Sequence, residues 1–196
     1  MGKKINKAAA PFSVTDHYTV KTGRRKAGNE GWAYSGTLHR NGTAIATFVE
    51  HGDGGMMSVQ WADSDAKPVP YINTATAWNV LHTTQGTPEE VALRNWYFNA
   101  LPDEGGYYEA GFAIESLVDR AIVEASLKKD LAQHVLMIAP GDVRDGGPST
   151  MYAVEARGDD LALLAQQVQG ENPEMVVLNL LPFDAATAMF MTLNHA

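Results

Sequence analysis

The first third of the chain alternates apolar and polar side chains with a period of two. Residues 12–61 are also rich in β-branched and aromatic residues, and this combination predicts antiparallel strands. Asn41-Gly42 predicts a two-residue hairpin turn, because both central positions of such a turn favour positive φ. We therefore expect strands near residues 18–22, 32–40, 43–51 and 57–61.

The predicted turn also fixes a register for the hairpin. If Arg40 lies opposite Thr43, the pairs that follow are Leu38 with Ile45, Tyr34 with Val49, and Trp32 with His51. These residues would form the apolar face of the ribbon. Phe48 would then lie on the opposite, more polar face.

The rest of the chain mixes helical and strand patterns. Thr87-Pro88-Glu89-Glu90 predicts a helix start, with Thr87 as the cap and Glu90 completing a capping box, and this helix should end near Ala100. Three- and four-residue spacing of apolar side chains predicts a helix over residues 111–133, and a stripe of Leu161, Leu164, Ala165 and Val168 predicts another from about 159. A final helix is expected from about 184, where the pattern does not choose between a helical and a strand period. Strands are expected at 134–139, 150–156 and 175–181, and residues 63–70 have the composition of a turn-rich connector.

These elements predict an α+β fold, in which an N-terminal antiparallel β-meander packs on helices and further strands follow in the C-terminal half. A chain of 196 residues with 45% apolar residues is ample for one core. We expect residues 1–11, which include Lys3, Lys4 and Lys7, to form a flexible basic arm. Residues 12–196 should form a single domain.

The composition argues against several classes of protein. The chain has no cysteine and therefore no disulfide, thiolate nucleophile or cysteine-based metal site. No apolar run reaches the length of about 18 to 20 residues that a membrane-spanning helix needs, and no stretch of secretory type follows the first residues. These features favour a cytoplasmic protein that does not enter a membrane.

The charge is unevenly distributed along the chain. Residues 1–70 carry nine Lys and Arg against six Asp and Glu, which is +3, and the total of −8 then leaves −11 for residues 71–196. An acidic body argues against sequence-independent binding to nucleic acid, because that binding depends on Lys and Arg at the phosphates. The expected partner is a protein, basic or neutral where it meets the C-terminal part.

The most unusual segment of the sequence is His51-Gly52-Asp53-Gly54-Gly55. Its sparsely side-chained backbone could present N–H groups to an anion, while His51 and Asp53 supply a titrating base and an acceptor. The same residues would equally make a tight reversal between two strands. The segment matches neither a phosphate loop nor a dinucleotide fingerprint. The ligand-binding candidates are His51, Asp53, Gly54 and Gly55.

Two other groups of side chains could form a partner surface. Arg24, Arg25 and Lys26 would lie at a basic hairpin tip, either solvated or in contact with a phosphate or an acidic protein. An aromatic group could anchor an interface or close a core; its candidate partner residues are Trp96, Tyr107 and Tyr108.

No catalytic motif is present in the sequence. It contains no His-Glu-x-x-His, no calcium loop and no Gly-x-Ser-x-Gly elbow. We therefore assign no catalytic residue, metal ligand or cofactor, and an enzyme is the less favoured class.

Three segments carry a resemblance to known proteins. They are the hairpin residues 36–46, the strand end and glycine-rich turn at 49–55, and the helical Ile114-Glu115-Ser116-Leu117-Val118-Asp119-Arg120. Together they resemble small uncharacterised accessory proteins borne by phages and other mobile elements. The resemblance implies a host-cell cytoplasm, where such acidic proteins act by binding and blocking.

Two hypotheses of function follow from the sequence. The first is a non-enzymatic acidic binding protein, such as an inhibitor of a host or defence protein. The alternative is a small enzyme or ligand-binding module that acts on a nucleotide-like or phosphorylated molecule at the loop formed by residues 51–55.

Overall fold

The computed structural model describes residue 13 and residues 15–75, 80–100, 108–139, 151–155 and 160–194. Residues 1–11 of the predicted arm lie outside the described residues, as do Tyr107 and the segment 140–150. Within the described residues, an antiparallel N-terminal sheet is combined with helices and with further strands in the C-terminal half. This arrangement confirms the predicted α+β class.

Most of the predicted strands and helices are present. In chain order the elements are β1 (Tyr18–Thr22), β2 (Lys26–Ala27), β3 (Trp32–Arg40), β4 (Thr43–Glu50), β5 (Ser58–Trp61), β6 (Val69–Ala75), β7 (Val80–Gly86), α1 (Pro88–Ala100), α2 (Ala110–Leu131), β8 (His134–Ile138), β9 (Met151–Glu155), α3 (Leu161–Glu171), β10 (Val176–Val177), a 3₁₀ helix (Leu178–Leu180) and α4 (Phe183–Asn194).

The chain divides into two compact units, Met1–Asp119 and Arg120–Ala196. The boundary lies within α2, so the first half of that helix belongs to one unit and the second half to the other. That residues 12–196 form a single domain stays a prediction.

The first unit contains a twisted antiparallel sheet with the strand order β1-β3-β4-β5, and β2 pairs with the beginning of β3. One face of this sheet packs on α1 and on the first half of α2. The cluster between these layers includes Leu38, Phe48, Leu93 and Ile114, which are almost completely buried. Burial of each such side chain contributes roughly 1.5–3 kcal/mol, so this inner face determines how the strands align.

The hairpin of β3 and β4 contains a β-bulge that the sequence analysis did not predict. The turn itself is as expected, with φ of 51° at Asn41 and 79° at Gly42, and Arg40 lies opposite Thr43. The register then shifts, because His39 lies opposite Ala44 while Leu38 lies opposite Ala46. Ile45 is thus the extra residue of the bulge.

The bulge changes which side chains of β4 face the core. Beyond it, Tyr34 pairs with Glu50 and Gly36 with Phe48, so Phe48 is buried and Val49 is exposed. The predicted pairs of Leu38 with Ile45 and Tyr34 with Val49 are therefore wrong, because one extra residue reverses the faces of a strand.

The predicted pair of Trp32 with His51 is also wrong. Trp32 pairs with Ala27 of β2, and His51 lies beyond the end of β4. Trp32 is 53% exposed. Trp32 and His51 are therefore not the cross-strand pair that the register without a bulge predicted.

Gly36 leaves the space that the Phe48 ring occupies on the inner face of the sheet. A Cβ atom at this position would lie 2.5 Å from Phe48 Cζ and 2.5 Å from the carbonyl oxygen of Lys21. Since the residue directly opposite Gly36 is Phe48, the aromatic ring covers the space that a side chain would fill. Any larger residue would force the ring or β1 to move.

The start of α1 is capped as the sequence predicts. The Thr87 hydroxyl accepts a hydrogen bond from the Glu90 N–H at 3.2 Å, and the Glu90 carboxylate accepts one from the Thr87 backbone. Burial raises the pKa of Glu90, although hydrogen bonds from Thr87 and Tyr71 oppose this shift.

Arg40, the last residue of β3, links the start of α1 to Asp16, which precedes β1. Its guanidinium donates to Asp16 at 2.6 Å and to Glu89 at 3.1 Å, and the Asp16 and Arg40 side chains are each only 6% exposed. Burial pushes the pKa of Asp16 upward, but hydrogen bonds from Arg40, Ser13 and Asn41 outweigh it and lower the pKa. Removing one partner of such a buried pair costs about 3–5 kcal/mol, so Arg40 fixes α1 on the sheet.

The second unit contains the three-stranded sheet β10-β8-β9. β8 is buried on both faces: Leu136 and Ile138 contact one apolar cluster, and Val135 and Met137 contact another. The second cluster includes Ala165 and Val168 of α3, as the predicted stripe of that helix requires.

Two segments differ from the sequence analysis. Residues 63–70 were expected to be only a connector, but β6 begins at Val69 and pairs with β7 in a separate ribbon. The strand expected at 175–181 stops at Val177. There the Asn179 side chain accepts a hydrogen bond from the Leu136 N–H at 2.8 Å and donates to the His134 carbonyl at 3.0 Å, so a side chain replaces strand pairing.

Replacing Gly36 with alanine tests the packing beneath the hairpin. We expect Gly36→Ala to lower the free energy of unfolding by about 1–3 kcal/mol, because the new methyl group overlaps the Phe48 ring. Gly170→Ala in α3 is the matched control, since nothing lies within 4 Å of the added Cβ and alanine favours a helix. Urea denaturation measures both, and equal midpoints for the two variants would show that the close contact is absent.

Candidate functional site

The glycine-rich loop folds back on the turn that precedes β3. Gly52 is buried with φ of 69°, its carbonyl accepts a hydrogen bond from the Glu30 N–H at 2.9 Å, and a Cβ at Gly28 would overlap the Gly52 backbone. Gly28 and Gly52 are therefore required for close approach of two main chains.

Two N–H groups of the loop donate hydrogen bonds to carboxylates that are close in sequence. The Gly52 N–H donates to the Glu50 carboxylate at 2.9 Å, and the Gly55 N–H donates to Asp53 Oδ1 at 3.1 Å. His51 and Asp53 are both exposed. The carboxylate of Asp53 stabilises the turn, and two of the N–H groups predicted to face an anion are already bonded within the chain.

A cavity of about 260 Å³ lies beside this loop. Its lining combines backbone, apolar side chains and three carboxylates: Glu50, Gly54, Gly55, Met56, Met57, Glu109, Gly111, Phe112 and Glu115. Two of the four ligand-binding candidates, Gly54 and Gly55, line it, whereas His51 and Asp53 do not. The carboxylates were not predicted as site residues.

The cavity lies between the sheet and the first turns of α2. Glu50 is brought to it by the bulge, which places this residue opposite Tyr34 on the inner face. Gly111 brings α2 close to β5, because a Cβ there would lie 3.2 Å from Met57 Cβ. Glu109 precedes the helix, and Glu115 lies about one turn into it.

Acidic groups dominate the electrostatics of the cavity. Burial, with the negative charges of Asp119 and Glu50, raises the pKa of Glu115. Burial and the charges of Glu115 and Glu50 also raise the pKa of Tyr34 to about 12. Burial is the larger cause of both shifts, and the neighbouring carboxylates add to it.

The N-terminus of α2 opposes this negative field only in part. A helix N-terminus carries about half a positive charge, whereas Glu50, Glu109 and Glu115 carry up to three negative charges. The carboxylates of the lining therefore outweigh the helix dipole at the cavity wall.

Arg25 is a basic side chain near Glu115. Its guanidinium lies 5.2 Å from the Trp32 ring centroid and 5.3 Å from that of Tyr34, and its charge lowers the pKa of Glu115. The Arg25 Nε is buried with no hydrogen-bond partner among the described residues. A cation–π contact contributes about 0.5–1 kcal/mol and an unmade buried hydrogen bond costs about 1–3 kcal/mol, so Arg25 is weakly held.

The other partner-surface candidates lie in different surroundings. Arg24 and Lys26 are exposed on either side of Arg25. Trp96 packs on Tyr18 with ring centroids 5.0 Å apart, and Tyr108 is only 2% exposed, which places both aromatics at the core. Tyr107 lies outside the described residues.

In the described part of the chain, no group of three or more His, Asp or Glu side chains has an arrangement that could hold a metal ion. No helix within those residues combines the length and apolarity needed to cross a membrane.

Comparison with known proteins gives no relative for this chain. No protein-family model, curated protein or solved structure matches it.

Titration of Glu115 tests the electrostatics of the cavity. We expect its pKa to lie above the ordinary 4.5, to fall in Glu50→Gln because a repelling charge is removed, and to rise in Arg25→Gln because an attracting charge is removed. Carbon-detected NMR of the side-chain carboxyl measures these shifts, with Glu174→Gln as the control. A pKa unchanged in both variants would mean that Glu50 and Arg25 are not close to Glu115.

Proposed function

We propose that this chain is an acidic binding protein that takes up a basic segment of a protein partner at the cavity beside Gly54 and Gly55. The observation that carries the proposal is the composition of the cavity wall, where Glu50, Glu109 and Glu115 surround apolar side chains. Carboxylates attract the charged end of a lysine or arginine, while the apolar wall covers its aliphatic stem.

The surroundings of the cavity favour a protein partner over a small cation. Met56 is 74% exposed and Phe112 is 45% exposed, and both line the cavity. Exposed apolar side chains beside a charged pocket are typical of protein interfaces, in which aromatic residues and methionine are enriched. A free amine would leave these side chains in water.

The alternative, a site for a nucleotide-like or phosphorylated molecule, receives less support. Two loop N–H groups already donate to Glu50 and Asp53, and the neighbouring side chains carry the same sign of charge as a phosphate. Phosphate sites rely on free N–H groups or on Arg and Lys, and neither Arg nor Lys is among the described residues that line the cavity.

A binding protein of this kind acts by covering the surface it binds. We propose that this action takes place in a host-cell cytoplasm, on a host or defence protein whose basic surface is blocked, and the sequence resemblance to accessory proteins of phages and mobile elements supports this proposal. Basic surfaces are common where proteins bind nucleic acid, and an acidic competitor would occupy them.

Calorimetric titration with defined probes tests the proposed function. The probes are a twelve-residue peptide with four arginines, the same peptide with four glutamates, and ATP. We expect only the arginine peptide to bind. In the double variant Glu50→Gln, Glu115→Gln its affinity should fall by at least about fivefold, because two partly exposed charges are lost. Glu174→Gln removes one exposed charge elsewhere in the sequence and should leave the affinity nearly unchanged.

Two results would contradict the proposal. One is equal affinity of the arginine peptide for the native protein and for the double variant, which would place its binding elsewhere. The other is tighter binding of ATP than of the arginine peptide, which would favour the phosphate alternative.

A further inference from the structure

The chain holds one of its own guanidinium groups near Glu115, a carboxylate that lines the cavity. Arg25 lies over two aromatic rings, at 5.2 Å from the centroid of Trp32 and 5.3 Å from that of Tyr34. Among the described residues it forms no ion pair within 4 Å, and its buried Nε has no acceptor. The side chain is thus placed by stacking and by the surrounding field, without a direct carboxylate contact.

The aromatic rings and the cavity belong to the same face of the sheet. Tyr34 lies directly opposite Glu50, and Glu50 lines the cavity together with Glu115. The charges of Glu115, Glu50 and Arg25 all act on the Tyr34 hydroxyl. Trp32 precedes Tyr34 by two residues on the same strand and therefore extends this face towards solvent.

From this geometry, and resting on the proposed function, we propose that Trp32, Tyr34, Glu50 and Glu115 form a guanidinium-binding site. Arg25 fills the site in the free protein, and an arginine of the basic partner takes its place on binding.

The surroundings select arginine rather than lysine as the incoming group. A planar guanidinium stacks on an aromatic face and directs several N–H donors to its sides, whereas an ammonium group is a compact, strongly hydrated charge. Arg25 stacks but leaves Nε without an acceptor. An arginine entering from a partner is not constrained by this short loop and can reach the carboxylates while it stacks on Trp32.

The test uses fluorescence anisotropy with two labelled twelve-residue peptides, one with four arginines and one with four lysines. In Arg25→Gln the arginine peptide should bind about three- to tenfold tighter, because the aromatic face is free. The affinity of the lysine peptide should increase less. Arg24→Gln is the matched control, since it removes the same charge from the neighbouring residue. Arg24→Gln should change the affinities of both peptides equally, by less than about twofold.

A second measurement observes Arg25 directly in the native protein, so it does not require any variant to fold. In the native protein, the NMR signal of the Arg25 Nε–H should move towards the position of a solvated arginine when the arginine peptide is added. Arg25→Lys keeps the charge and loses the planar stacking, so it should raise the preference for the arginine peptide over the lysine peptide.

The outcomes separate this inference from the proposed function. If the native protein binds the arginine peptide through Glu50 and Glu115 but Arg25→Gln and Arg24→Gln behave alike, Arg25 does not occupy the site and the inference is overturned. An unmoved Nε–H signal in the saturated complex has the same meaning. If neither the native protein nor Arg25→Gln binds either peptide, the proposed function fails as well.

Discussion

The β-bulge at Ile45 is the constraint on which the rest of the candidate site depends. It adds one residue to β4 and thereby exchanges the two faces of the strand beyond it. Phe48 becomes a core residue over Gly36, and Glu50 comes to lie opposite Tyr34 on the inner face. In the regular register Val49 would take this place, and the cavity would lose one of its carboxylates.

The glycine-rich loop has a structural role that accounts for its composition. Gly52 packs against Gly28 and Ala33, and Asp53 bonds within its own turn. The loop nevertheless contributes to the site, because Gly54 and Gly55 form one wall of the cavity without filling it. The carboxylates of the cavity come from Glu50, which directly precedes the loop, and from Glu109 and Glu115 around the start of α2, which are more than fifty residues away.

Local signals were sufficient for much of the fold. The Asn41-Gly42 turn, the Thr87 cap with Glu90 and the apolar stripe of α3 all act between residues close in sequence, and each is present in the structure. The bulge could not be read from the pattern, because Ile45 and Ala46 are both apolar and either could face the core. The early end of β10 was missed for a related reason, since the hydrogen bonds of Asn179 are made to a strand more than forty residues away.

The site was less predictable than the fold because its members are ordinary residues. Glu50, Glu109 and Glu115 belong to no catalytic or metal-binding motif, and the pairing of β3 with β4 and the approach of Gly111 to Met57 bring them to one cavity. Arg25 was identified as a candidate on its charge alone. Its stacking on Trp32 and Tyr34 depends on the pairing of β2 with β3, which the sequence analysis did not predict.

The central claim is that a cationic protein segment binds at the carboxylate-lined cavity. Amide chemical-shift mapping tests it most directly, with the ¹⁵N-labelled protein titrated with the four-arginine peptide. The account predicts that the largest shifts fall on the cavity wall, at Gly54, Gly55, Met57, Gly111 and Phe112. Shifts confined to residues 120–194, or no saturable shift at these five amides, would contradict it.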